Sequence, residues 1–222
     1  MSWESTVHYY QIINREINKR LGGTHSAKIL MNSVDFYEID KLQHDDKWEE
    51  LTEIMIEESK KLVAAGADCL VICTNTMHKM AEEISEVIPI PLIHIADATA
   101  RAIQEAGYDN ILLLGTKFTM EQDFYRGRLE DIFKLGIIVP DQQDRDIIHK
   151  IIYDELVLGI VRDESKAKYV DIINKLAHEV EGVILGCTEI EMLVKPGDVE
   201  LPLFDTTQIH ALAAVDFALD DD

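Results

Sequence analysis

Positive charge is scarce in this chain: 21 Lys and Arg stand against 42 Asp and Glu, a formal net charge of −21. Nucleic-acid affinity rests on clustered Lys and Arg, and so does adhesion to anionic lipid, so nucleic-acid and membrane partners are both excluded as expectations. Long apolar runs are missing too. The richest cluster, Ile111-Leu112-Leu113-Leu114, falls far short of the roughly 18 residues a membrane helix needs. The opening MSWESTVHYY has neither a basic start nor an apolar core, so no secretion signal is expected. Cysteine is limited to Cys69, Cys73 and Cys187, too few and too scattered for a disulfide framework, which points to the reducing cytoplasm. Neither a GxGxxG nor a Walker A pattern occurs, which argues against nucleotide chemistry, and no CxxC pair supports zinc or a redox disulfide. The few prolines form no linker; Ile88-Pro89-Ile90-Pro91 only interrupts a helix before the next apolar segment.

What the sequence does contain is an alternation of short β-branched apolar runs and longer amphipathic stretches. The runs Ala27–Met31, Cys69–Ile72, Leu92–Ile95, Asn110–Leu114, Gly136–Val139 and Gly182–Leu185 predict strands. Helical spacing predicts helices over about Glu4–Leu21, Trp48–Ala65, Ala98–Ala106, Met120–Lys134, Asp144–Gly159, Ser165–Glu179 and Ile209–Leu219. Continuous rather than alternating apolar strands mean that both sheet faces are covered, which is the parallel α/β arrangement.

One internal repeat stands out. Ala64 to Thr76 reads as helix end, apolar strand, Cys73-Thr74 and a polar residue; His178 to Glu189 reads as helix end, apolar strand, Cys187-Thr188 and a polar residue. Two similar halves, each presenting a Cys-Thr pair at the carboxyl end of a strand, account for this. Ligands bind at such ends in open parallel sheets. Backbone N–H groups there favour a thiolate, and two thiols facing each other across a cleft suit proton removal from one face of a carbon and delivery to the other. A single cysteine after a strand is more often a small buried hydrophobe, and Cys69 is assigned to the core on that ground. The shared context of Cys73 and Cys187 favours chemistry instead. His78 is either a supporting partner of Cys73 or a solvated first-turn residue, and His94 reads as a core histidine. His8, His25, His44, His149, His178 and His210 read as surface. Phe118, Phe124, Tyr125 and Phe133 have core spacing, whereas Glu121, Asp123, Arg126, Arg128 and Glu130 read as an exposed or interface face. Lys79 and Lys117 are the only cations close to the motifs.

At these residues the chain resembles the aspartate/glutamate racemase family, the pyridoxal-phosphate-independent amino-acid racemases. The resemblance is carried by Met1–Thr6, His25–Ala27, Ser33–Phe36, Cys73–Lys79, His94–Thr99, Gly115–Met120 and Gly186–Ile190. It is nearest to the broad-specificity or L-aspartate/glutamate subgroup, because Thr188 is followed by Glu189 rather than histidine. The resemblance implies two pseudo-symmetric α/β domains, each a parallel sheet flanked by helices, with the active site in the cleft between them. Residues 1–95 with 206–222 would form one half and 96–205 the other, with a short strand ending in Gly-Gly expected ahead of Met1. It implies racemisation of an amino acid, aspartate or glutamate first, with no cofactor and no metal. Cys73 and Cys187 would be catalytic, and Met1, Gln43, Thr74, Asn75, Thr76, Thr116, Thr188 and Glu189 would bind substrate. A homodimer is the implied assembly. Hydantoin racemases, maleate isomerases and arylmalonate decarboxylases share this architecture and are the alternatives, together with a catalytically silent amino-acid-binding protein.

Overall fold

Residues 1–220 are described by a computed structural model; Asp221 and Asp222, the last two residues of the expected first half, lie outside the described residues. Strands β1 (Asn110–Gly115), β2 (Gly136–Ile138), β3 (Gly182–Gly186) and β4 (Leu203–Asp205) form a parallel sheet in the order β2-β1-β3-β4. Ile111 to Leu114 and Val183 to Leu185 are buried, as fully covered strands require. β1 and β3 approach so closely at their carboxyl ends that a Cβ on Gly115 would lie 2.7 Å from the Gly186 carbonyl oxygen. A Cβ on Gly186 would lie 2.7 Å from the Leu114 oxygen. Only glycine lets these two strand ends meet, and the ends lead directly into Thr116 and Cys187.

The helices follow the apolar periodicities. Helix α1 (Trp3–Leu21) begins at Ser2, whose side chain accepts from the Ser5 N–H, carries Lys19 and Arg20 in its last turn, and stops at Gly22 with φ 75°. Then come α2 (Phe36–His44), α3 (Trp48–Ala64), α4 (Ala81–Val87) and α5 (Ile95–Ala106). Around the sheet lie α6 (Lys117–Glu121), α7 (Arg126–Asp131), α8 (Gln142–Asp154), α9 (Asp163–Leu176), α10 (Ile190–Leu193) and α11 (Thr206–Leu219). Short 3-10 turns cover Thr76–Met80 and Leu156–Leu158. The buried apolar residues separate into two clusters, one around the sheet and α5, α8 and α9, the other among α2, α3, α4 and the segments ending at Ile72 and Leu92.

Three predicted strands are not ladders in the structure. Leu70 and Leu92 meet as one isolated parallel bridge, with the Leu70 N–H donating to Pro91 O at 2.9 Å and the Ile93 N–H to Leu70 O at 3.0 Å. Pro89 and Pro91 have no N–H to lengthen that ladder. Beyond Ile72 the Thr74 N–H turns back onto the Ile72 carbonyl at 2.7 Å. Ala27–Met31 pairs with no strand among the described residues; the Ala27 N–H goes to Asn14 Oδ1, and Leu30 and Met31 are exposed. The predicted helix over Met120–Lys134 is interrupted between α6 and α7, where Gln122 turns extended and Tyr125 is drawn into the core. Helix α2, capped by Asp35 through the Tyr37 N–H, and the three-residue β4 were not predicted from the sequence.

Candidate functional site

Three turns converge at the carboxyl ends of the parallel segments: Cys73–Thr76 after the bridge, Thr116 after β1, and Cys187–Glu189 after β3. They floor an open cleft. Its floor carries Thr74, Asn75, Thr76, Thr116, Cys187 and Glu189; Met1, Ser2 and Gly186 complete that side. The opposite wall is built by helices, with Phe36 and Gln43 from α2, Ile152 and Tyr153 from α8, and Val157 beyond it. Within that wall α2 and α8 are joined where Tyr153 donates its hydroxyl to Gln43 Oε1 at 3.0 Å, while the Gln43 amide reaches Met77 Sδ at 3.0 Å.

The carboxylate of Glu189 is buried at the centre of a donor set. Cys187 Sγ donates to its Oε2 at 3.1 Å, Thr188 Oγ1 donates to the same oxygen at 2.9 Å, and Ser2 Oγ donates to Oε1. Burial raises the Cys187 pKa well above the usual thiol value, and the neighbouring Glu189 charge raises it further. Cys187 is therefore held as a protonated thiol, hydrogen-bonded to a buried carboxylate.

The other turn is held differently. The Cys73 carbonyl accepts from the Met1 amino nitrogen at 2.9 Å and from Ser5 Oγ at 3.0 Å, which fixes the backbone. Its Sγ makes no hydrogen bond among the described residues. Burial pushes the Cys73 thiol up to about 11. Beside it, Asn75 Nδ2 donates to Thr206 Oγ1 at 3.1 Å, and Thr206 Oγ1 donates to Leu185 O at 2.8 Å. Asn75 lines the cleft floor, and its buried Oδ1 has no hydrogen-bond partner among the described residues. Thr76, Thr116 and Thr119 link their hydroxyls at 3.0 and 3.1 Å, so this side of the floor holds rotatable donors.

Beneath Thr74 lies a cluster of neutral histidines. His78 Nδ1 donates to Thr74 O at 2.8 Å, and Nε2 accepts the Ile95 N–H at 3.2 Å, which fixes the tautomer. His210 bridges Tyr9 Oη at 2.8 Å and Ile93 O at 2.6 Å. The rings of His94 and His210 pack edge-on against His78 at 4.7 and 5.6 Å. Burial lowers the pKa of all three, to about 4 for His94 and His210 and well below the usual value for His78.

Of the ten expected site residues, Met1, Gln43, Thr74, Asn75, Thr76, Thr116, Cys187 and Glu189 line the cleft. Cys73 and Thr188 do not: Cys73 is half-buried next to the lining Thr74, and Thr188 is turned onto Glu189. Several surface or core assignments need correction. His210 is buried between Tyr9 and Ile93, His149 is half-buried and accepts the Lys117 N–H, and His8 pairs with Glu191 at 2.8 Å. Cys69 is half-buried rather than core, because its segment forms only the single bridge. His94 caps α5 through the Ala96 N–H instead of lying in a strand. Arg128 turns inward onto Asp97 at 2.9 Å. Lys79 lies over the Trp48 ring at 3.8 Å and donates to Gln122, and Lys117 pairs with Asp146, so both cations are engaged. Ile152 and Tyr153 were missed, and nothing local marks them as cleft residues; Ser2, Phe36 and Gly186 lie within stretches that carry the resemblance but were not expected to bind substrate. Among the described residues no group of three or more His, Cys, Asp and Glu side chains is placed to hold a metal ion. No helix among them is long and apolar enough to cross a membrane.

Comparison with known proteins gives a consistent result. The family model described as Asp/Glu/Hydantoin racemase matches residues 1–214. The chain is 50% identical to a candidate Asp/Glu racemase from Yersinia pestis of known crystal structure, with a TM-score of 0.90, covering 98% of this chain and 95% of that one. A crystallised aspartate racemase homologue from Pyrococcus horikoshii OT3 is 33% identical, with a TM-score of 0.81 over 97% of this chain and 94% of that one. The broad specificity amino-acid racemase RacX of Bacillus subtilis (strain 168) is 21% identical over 188 residues, 81% of this chain and 76% of the relative.

Proposed function

Since the chain belongs to the Asp/Glu/hydantoin racemase family and is thus an isomerase of the amino-acid racemase kind, we propose that it interconverts amino-acid enantiomers by two-thiol 1,1-proton transfer between Cys73 and Cys187, without a cofactor. The observation that carries this reading is that the Cys187–Glu189 turn and the turn that follows Cys73 share the floor of one cleft. The unpartnered Asn75 Oδ1 suits a substrate ammonium, and the threonine hydroxyls suit its carboxylate. The ammonium charge would also favour thiolate formation beside it.

Resting thiols with raised pKa values must lose a proton before they can act as bases. Glu189 provides the route for Cys187: the S–H proton moves to Oε2 along the existing hydrogen bond, leaving a thiolate beside a neutral carboxyl rather than beside a second negative charge. In one direction the Cys187 thiolate takes the α-proton, forming S–H and leaving its electron pair on the α-carbon, delocalised into the carboxylate. The Cys73 thiol then gives its proton to the opposite face of that carbon and becomes the thiolate. The reverse direction exchanges the roles. Two thiolates in one cleft resist forming together, so the pair titrates as a unit with one proton shared between them. Aspartate and glutamate are the first substrates the family suggests.

We propose that the protein is cytoplasmic, on its three unpaired cysteines, and propose the halves 1–95 with 206–222 and 96–205, since one hydrophobic cluster is built from Ile39 to Ile88, the other from Ile95 to Phe204, and α11 packs on α1. We also propose a homodimer, since Trp3, Val7 and Tyr10 expose one apolar stripe of α1 beside Met31. Chiral analysis of product from L- and D-amino acids tests the chemistry. Racemisation should be lost in both Cys73→Ala and Cys187→Ala; wild-type rates in either would overturn the two-thiol reading.

A further inference from the structure

Helix α11 starts beside both cysteine turns. Its first residue, Thr206, is fully buried, and its hydroxyl joins the two repeats: it donates to Leu185 O, in β3 ahead of Cys187, at 2.8 Å, and accepts from Asn75 Nδ2, in the turn after Cys73, at 3.1 Å. The next residue, Thr207, donates its hydroxyl to Thr188 O at 3.4 Å. The direction of these bonds follows from the groups themselves. A carbonyl oxygen can only accept, so the single hydroxyl proton of Thr206 is committed to Leu185. Thr206 Oγ1 therefore meets Asn75 as an acceptor, and an acceptor draws the amide nitrogen rather than the amide oxygen. The Asn75 amide is set with its NH2 on Thr206, and Oδ1 is the atom left over. Among the described residues, the buried side-chain oxygens without a hydrogen bond belong to Asp40, Asn75, Tyr125 and Glu191, and of these residues only Asn75 lines the cleft. A buried acceptor with no partner is unfavourable until a donor completes it, and here the donor can come from a ligand.

We infer that Thr206 is a positioning residue that fixes the polarity of the Asn75 amide, and so makes the cleft select substrates that carry an ammonium group on the α-carbon. The inference rests on the amino-acid racemase reading and adds to it a residue that itself touches no substrate. An ammonium group has donors and no acceptor, so it pairs with Oδ1 and is repelled by an amide NH2. Without the Thr206 hydroxyl, nothing behind Asn75 accepts from Nδ2, and the amide can turn over to present its nitrogen instead. Thr76 and Thr116 are hydrogen-bonded to each other and to Thr119, not to Thr206, so the hydroxyls suited to the substrate carboxylate keep their places. Thr206 thus governs one charge of the zwitterion and leaves the other alone.

Thr206→Val keeps the shape of the side chain and removes the hydroxyl, whereas Thr206→Ser keeps the hydroxyl. The probes are L-aspartate and succinate, which is aspartate without its ammonium group. Calorimetric titration should show Thr206→Val binding aspartate about tenfold or more weakly than the wild type, with succinate changed by less than about twofold, since only the amino acid loses a hydrogen bond to a charged group. Racemisation of aspartate should show the same loss as a rise in KM, with a much smaller fall in kcat. Thr206→Ser should restore aspartate binding to within about threefold of the wild type. Should the valine variant not fold, Thr206→Ala gives the same comparison without a methyl group against Asn75. An equal loss for aspartate and succinate makes Thr206 a structural residue only and overturns the inference. Undiminished aspartate binding without the hydroxyl overturns it too, as does wild-type binding of succinate as tight as that of aspartate. Aspartate binding that depends on Thr206, in a protein that racemises no amino acid, keeps the inference and overturns the racemase reading.

Discussion

The two cysteine turns come from a repeated sequence pattern yet sit on unequal foundations. Cys187 follows β3, a buried strand paired on both sides, and its thiol is bonded to a buried carboxylate. Cys73 follows a segment with a single bridge, and its position depends on side-chain and terminal donors reaching its carbonyl, with histidines packed beneath Thr74. A ladder of backbone hydrogen bonds fixes one turn, and a set of long-range polar contacts fixes the other. The difference separates two kinds of vulnerability. The Cys187 side should fail through chemistry, by losing Glu189. The Cys73 side should fail through structure, by losing the groups that pin it.

Glu189→Gln breaks the comparison most strongly. It keeps the shape but removes the carboxylate that accepts the Cys187 proton, and kcat should fall on the order of 10²-fold or more, the usual contribution of a proton-transfer group. The same variant should show a lowered pKa for Cys187, since the repelling charge is gone, which a thiol-alkylation pH profile reads directly. If the alkylation profile is unmoved, Glu189 does not govern Cys187.

On the other side, His210→Ala should destabilise the fold by about 2–4 kcal/mol in denaturant titration, because it leaves Tyr9 Oη and Ile93 O without their partner and opens a cavity. Its effect on kcat in the remaining folded protein should be small. A loss of activity greater than the loss of folded protein would show that the histidine cluster reaches into the chemistry.

Acid should single out the same region. His94 and His210 have folded-state values near 4, below an ordinary value of 6.5, so the unfolded chain binds more protons over that interval. Their contribution to stability is present above about pH 6.5 and drains as pH falls toward 4. Thermal midpoints measured from pH 7.5 to 4.5 should therefore fall by several degrees, and His210→Ala should shallow that slope. A slope unchanged by the substitution would remove His210 from the acid response.

Much of this asymmetry was not legible in the sequence. Strands β1, β2 and β3 were readable, since Ile111–Leu114 and Val183–Leu185 are continuous apolar runs that also pair. Cys69–Ile72 looks the same locally, but pairing depends on what lies beside it, and prolines 89 and 91 take away donors the ladder would need. The Cys-Thr turns were readable because their context repeats. Ile152 and Tyr153 were not, since a helical residue that faces a cleft has the same spacing as one that faces a core. His210 read as surface because nothing in Gln208–Ala211 signals the Tyr9 and Ile93 groups it joins from distant parts of the chain.

Smaller in effect is Tyr153→Phe, which removes the hydrogen bond joining α8 to α2 at Gln43 in the helical wall. A bond of this kind is worth about 1 kcal/mol net, so KM should rise about fivefold with kcat nearly unchanged. A large drop in kcat instead would place the hydroxyl among the reacting groups.

The two-thiol account is tested most directly by racemisation of a single enantiomer in D₂O, stopped early. Because one cysteine removes the α-proton and the other delivers a solvent-derived one to the opposite face, the inverted product should carry deuterium at the α-carbon while the unreacted substrate remains protiated. Substantial α-protium carried into the product, or deuterium appearing at an equal initial rate in the recovered substrate, would mean that a single base serves both faces and would contradict the account.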